Sequence, residues 1–97
     1  MEKEIIWSPR SKQTFARVIE YLEQEWTEKE VFSFVAKVEK VLSLISTGNI
    51  KFRSSGRENV HEVLITKHNL LIYRINPTHI ELLRFYDTRQ NPRKKKF

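Results

Sequence analysis

Apolar and polar residues alternate along this chain with two successive periods. Phe15, Val18, Ile19, Leu22 and Trp26 recur every three or four positions with Arg17, Glu20 and Glu23 between them, the spacing of a helix with one apolar stripe. Ser8-Pro9 marks its start, since a serine hydroxyl accepts from a first-turn amide and proline at the first helical position forfeits no hydrogen bond. A helix is therefore predicted from Pro9 to about Trp26. A second stripe, Val31, Val35, Val38, Leu42 and Ile45, follows "TEKE", in which Thr27 and Glu30 stand at capping-box spacing. Gly48-Asn49 then supplies a left-handed stop. With almost no linker between them, the two helices are predicted to form an antiparallel hairpin facing one core.

On either side of the helices the period is two. "KEIIW", residues 3 to 7, reads as a short strand, and "VHEVLIT", "LLIYRI" and "HIELLRFY" read as three more, joined by "KHN" and "NPT". Connections this short make the last three an antiparallel meander. The polar "IKFRSSGREN" before them, residues 50 to 59, reads as a loop. The predicted fold is α+β, in the order βααβββ: a helical hairpin on one face of a small, mainly antiparallel four-stranded sheet. One domain spans residues 1 to 97, with 94 to 97 as a basic tail. Strict alternation in the last strand places Ile80, Leu82, Arg84 and Tyr86 on one face and Glu81, Leu83, Phe85 and Asp87 on the other. Neither set is purely polar, so the sheet face away from the helices is expected to be concave and partly apolar.

Composition narrows the chemistry. A 97-residue chain that is 39% hydrophobic can bury a modest core without staples, and the absence of cysteine excludes disulfides, thiolate nucleophiles and cysteine-based zinc sites. No phosphate loop, dinucleotide fingerprint, metal-ligand spacing or nucleophile elbow occurs, so no cofactor and no metal are expected. "MEKEIIWSP" is neither a signal peptide nor a membrane span, so a cytoplasmic protein with no membrane partner is expected. Net charge is +6, and the stretch from Arg84 to Phe97 carries +5 of it. Charge gathered in this way attracts nucleic acid or acidic protein segments, and a basic end is as often only solubilising.

The βααβββ order, "LLIYRI" in the penultimate strand and "IELLRFYDTRQNP" at the end resemble the RelE/ParE superfamily of bacterial toxins, from about Lys3 to Arg93. The resemblance implies the toxin of a type II toxin-antitoxin pair, neutralised by a cognate antitoxin. Its target would be DNA gyrase, as for ParE-like members, or ribosome-bound messenger RNA, as for RelE-like endoribonucleases. ParE-like binding inhibition is the reading preferred here.

The residues of a RelE-like nuclease are only partly present. Such enzymes carry cations on the second strand and early in the third, where this chain has His61, Val63 and either Asn69 or Leu70. A variant nuclease site would use His61 as acid or base, Arg84 on a phosphate and Tyr86 to stack or donate. An ordinary surface or edge histidine is the plainer account of His61. Lys51, Arg53, Arg57, Arg84, Arg89 and Arg93 are the expected contacts to a target or to nucleic acid. Asp87, set among Arg84, Arg89 and Arg93, is expected to order arginines by ion pairing. A plain nucleic-acid-binding module using the basic loop and tail is the third reading.

Overall fold

The computed structural model describes residues 2–48 and 52–88. Strand β1, Glu4–Trp7, leads into α1, Pro9–Glu25, and α2, Glu28–Ser46, followed by β2, Arg53–Ser54, β3, Val60–Thr66, β4, Asn69–Ile75, and β5, His79–Asp87. The sheet has five strands in the order β1-β5-β4-β3-β2, with β1 parallel to β5 and the other pairs antiparallel. Four strands were expected. The fifth is β2, a two-residue strand inside the expected loop, where Arg53 pairs with Glu62 and Ser54 with His61. Two polar residues carry no strand signal of their own; the edge of β3 draws them in.

Both helix starts follow from their first residues. Ser8 Oγ accepts from the Ser11 amide at 3.0 Å with Pro9 at the first helical position, and the Thr27 amide donates to Glu30 Oε2 at 3.1 Å in the reciprocal cap of α2. At its end α2 meets Gly48, whose φ of 76° is the left-handed turn glycine permits. Phe15, Val18, Ile19 and Leu22 from α1 pack against the core with Phe34, Val38, Val41, Leu42 and Ile45 from α2. Trp26, expected to continue the α1 stripe, is 54% exposed. It is the C-cap, with extended backbone, so the helical phase that would have turned it inward has already ended.

An aromatic cluster fastens the hairpin to the sheet. Phe15 lies 5.2 Å from Trp7, 5.9 Å from Phe34 and 5.3 Å from Phe85 between ring centroids. Beneath it Val63, Ile65, Leu71, Tyr73, Ile80 and Leu82 complete the helix-side core. A second, smaller cluster occupies the opposite face, made of Val60, Leu70, Ile72 and Tyr86 with Leu83 against it. That face is partly apolar, as expected.

The last strand does not alternate as predicted. Tyr73 pairs with Leu82 but its neighbour Ile72 pairs with Arg84, leaving Leu83 as an extra residue in a β-bulge. Ile80, Leu82 and Phe85 thus share the helix side, while Leu83 and Tyr86 belong to the open face. A bulge puts two successive side chains on one side, which period-two reading cannot anticipate. Along the edge of β5 beyond its pairing with β1, side chains of the α1 start take over: the Phe85 amide donates to Thr14 Oγ1 at 2.9 Å, and Ser8 Oγ donates to the Leu83 carbonyl at 3.2 Å. Among the described residues no helix is long and apolar enough to cross a membrane.

Candidate functional site

The open face gathers its cations around one cleft. Ser8 and Arg10 from the start of α1, Ser55 and Arg57 from the turn before β3, Glu62 on β3, Ile72 and Arg74 on β4, and Leu83 and Arg84 on β5 surround about 590 Å³. The floor is apolar and the rim carries four arginines against one glutamate. Two ion pairs occur among the described residues: Glu62 with Arg53, and Glu81 with Arg74 at 3.6 Å. Arg10, Arg57 and Arg84 lie outside both.

Arg84 is central because the bulge aims it. Its guanidinium carbon stands 5.2 Å from the centre of the Tyr86 ring, a cation over an aromatic face. Its Nε is buried, with no hydrogen-bond partner among the described residues. Burial lowers the Arg84 pKa from its ordinary value, the positive charges of Arg10 and Arg17 add to the effect, and Tyr86 opposes it. A guanidinium nevertheless keeps its proton, so this cation is held where an anion would stabilise it. Arg84 also forms the wall of a neighbouring groove of about 210 Å³, shared with Thr14, Arg17, Asn69 and Asp87.

The other expected site residues fall in three places. His61 is paired with Tyr73, stacks on its ring at 5.6 Å, and places Nδ1 3.0 Å from the Phe52 carbonyl oxygen. Tyr73 belongs to the helix-side core, so His61 and the pair Arg84–Tyr86 lie on opposite faces of the sheet. The structure does not bring the three together. Arg53 is engaged with Glu62 while Arg57 reaches the cleft. Lys51, Arg89 and Arg93 lie outside the described residues. Asp87 shares the side groove with Arg84 and Arg17; its expected pairing with Arg89 and Arg93 also lies outside them.

Three of the positions where RelE-like enzymes are expected to carry cations hold uncharged residues. Val63 is buried in the helix-side core, Leu70 in the open-face cluster, and Asn69 is buried with its Nδ2 donating to Thr66 Oγ1 at 3.1 Å. Two cleft arginines are absent from the expected contacts: Arg74, which pairs with Glu81, and Arg10. Its signal was present: the first turn of α1 holds Arg10 and no acidic residue, although the positive end of a helix dipole favours acidic ones. Among the described residues no three histidine, aspartate or glutamate side chains gather as a metal site.

This arrangement, a helical hairpin on one face of a mixed sheet and an arginine-rimmed cleft on the other, has the fold of the RelE/ParE superfamily of toxins. The structure of a chromosomal ParDE toxin-antitoxin system from P. aeruginosa matches with a TM-score of 0.73 at 10% identity, covering 89% of this chain and 96% of that one. The YoeB dimer from Staphylococcus aureus matches at 0.61 and 16% identity over 89% and 97%, and the E. coli DinJ-YafQ toxin-antitoxin complex at 0.64 and 8% over 90% and 93%. At such identities the likeness establishes the fold alone. The family described as the ParE toxin of the type II toxin-antitoxin system, parDE, matches residues 5–92. The chain belongs to that ParE toxin family. No curated protein sequence matches it.

Proposed function

We propose that this toxin inhibits growth by binding its target through the Arg84 cleft, in the ParE manner with DNA gyrase as the target, rather than by cutting messenger RNA. One observation carries the reading: the imidazole of His61 faces the helices, and the glutamate in the cleft wall is engaged with Arg53. Among the described residues, the cleft therefore offers cations over an apolar floor, without a free carboxylate or imidazole beside them. Such a surface can hold a polyanion or an acidic protein segment, but transfer of a proton from a 2′-hydroxyl needs a group within hydrogen-bond reach. A cognate antitoxin, acting in the cytoplasm, silences the toxin by laying an acidic segment over the same cations.

The test sets two assays side by side with purified, antitoxin-free protein: gyrase supercoiling and cleavage on translating ribosomes. Supercoiling should be inhibited, with the inhibition weakened in Arg84→Ala and relieved by the antitoxin. Codon-site cleavage that disappears in Arg84→Ala or His61→Ala, with gyrase untouched, makes the RelE-like nuclease the correct reading. Inhibition that tracks only bulk nucleic-acid binding favours the plain binding module.

A further inference from the structure

At the end of α1 remote from the cleft, the turn between the helices carries an exposed aromatic patch. Phe32 is 72% exposed and Trp26 54%, and together with Val31, Glu23 and Glu28 they line one shallow groove. The capping box at Thr27 fixes the backbone between them, so the exposure is not that of a frayed end. Adjacent exposed aromatics of this size mark a contact surface, since large aromatic anchors supply much of the energy of protein interfaces. Charge surrounds them asymmetrically: residues 20 to 30 hold five glutamates against Lys29, a net −4 in a chain whose total is +6.

The complementary surface is on the same molecule. The cleft at the other end of α1 has an apolar floor at Ile72 and Leu83 and a rim of Arg10, Arg57 and Arg84. Its volume of about 590 Å³ falls in the range of roughly 300–1,000 Å³ in which sites enclose drug-sized groups, enough for aromatic side chains. Within one chain the two surfaces cannot meet, because they lie at opposite ends of a helix of 17 residues, about 25 Å long at 1.5 Å per residue. We infer that the hairpin tip of one copy docks into the arginine cleft of a second, Phe32 and Trp26 entering the apolar floor and the tip glutamates meeting Arg10, Arg57 and Arg84. Tip against tip would bring two acidic patches together, and cleft against cleft two basic ones. Only the head-to-tail arrangement joins opposite charges, and it gives Arg84, which belongs to neither ion pair among the described residues, a carboxylate. Such a contact covers the cleft of every copy but one in a chain of molecules, so self-association restrains the toxin until an anionic competitor takes the cleft.

Sedimentation velocity on the antitoxin-free protein tests this directly. At about 0.05 M salt the average mass should rise with concentration, and at about 0.5 M, where surface charges are screened, it should fall to that of the monomer. Phe32→Ala and Arg57→Glu, both at exposed positions, should each weaken association about tenfold or more while the far-ultraviolet circular dichroism stays unchanged. Each variant keeps one working surface. An equimolar mixture should therefore form a one-to-one dimer and nothing larger. A wild-type protein that stays monomeric at low salt overturns the inference, as do variants that associate normally or a mixture that stays monomeric. If Phe32→Ala leaves self-association intact but weakens binding of the cognate antitoxin, the antitoxin is the occupant of the tip. If it abolishes only growth inhibition, the target is.

Discussion

Thr14 does more for this fold than its place on a helix suggests. Its hydroxyl accepts the buried Phe85 amide at 2.9 Å and donates to the Arg10 carbonyl at 2.8 Å, replacing the strand that β5 lacks on that edge. Valine fills almost the same space without the oxygen. Thr14→Val should therefore cost about 1–3 kcal/mol, the usual penalty for leaving a buried donor unsatisfied, read as a lower midpoint in urea unfolding with an unchanged slope. Nothing in the sequence marked this residue, because its partner is 71 positions away. Ser8 was legible in half of its role: the cap follows from Ser-Pro, but its donation to Leu83 does not. For the site, Arg84 and Tyr86 could be read as neighbours, whereas the side of the sheet each occupies depended on the bulge before them.

Among the elements, the helices were the most legible, since each carries its own stripe and its own start signal. Helix α2 also has a pH dependence that follows from its cap. Hydrogen bonding from the Thr27 side chain is the main cause that lowers the Glu30 pKa below the ordinary carboxylate value. The folded state thus keeps this charge to a lower pH than the unfolded chain does. The stabilisation is fully present above the unfolded pKa and is lost as pH falls through the lowered folded one. Acidification through the range below the usual glutamate pKa should loosen the first turn of α2, seen as faster amide exchange there, and Glu30→Gln should show little of this dependence. Strand β2 was illegible for the opposite reason. Arg53 and Ser54 have no pattern of their own and are extended only because Glu62 and His61 lie opposite.

At the scale of the whole molecule, the sheet divides the chemistry. Its helix side is closed by four aromatic rings and its other side is left with a small apolar cluster and the arginine cleft. The sequence made the two layers and their order readable, and it showed that the excess charge lay at one end. It did not reveal that Arg10, 74 positions before Arg84 in the chain, stands on the same cleft. That meeting depends on β1 lying parallel against β5, which places the start of α1 beside the end of the last strand. The bulge in that strand has one more implication, for tolerance to changes in chain length. With Leu83 removed, Leu82 and Arg84 would become successive partners of Tyr73 and Ile72, the registers they already hold, so every remaining side chain would keep its present side. Losing Phe85 would instead pull a core residue out of place. Deleting one leucine of the Leu82-Leu83 pair should give a folded protein with a modestly lower melting temperature, while deletion of Phe85 should abolish the cooperative thermal transition. The last strand carries a spare residue, and related chains could lose it here without exchanging the two sides of their sheet.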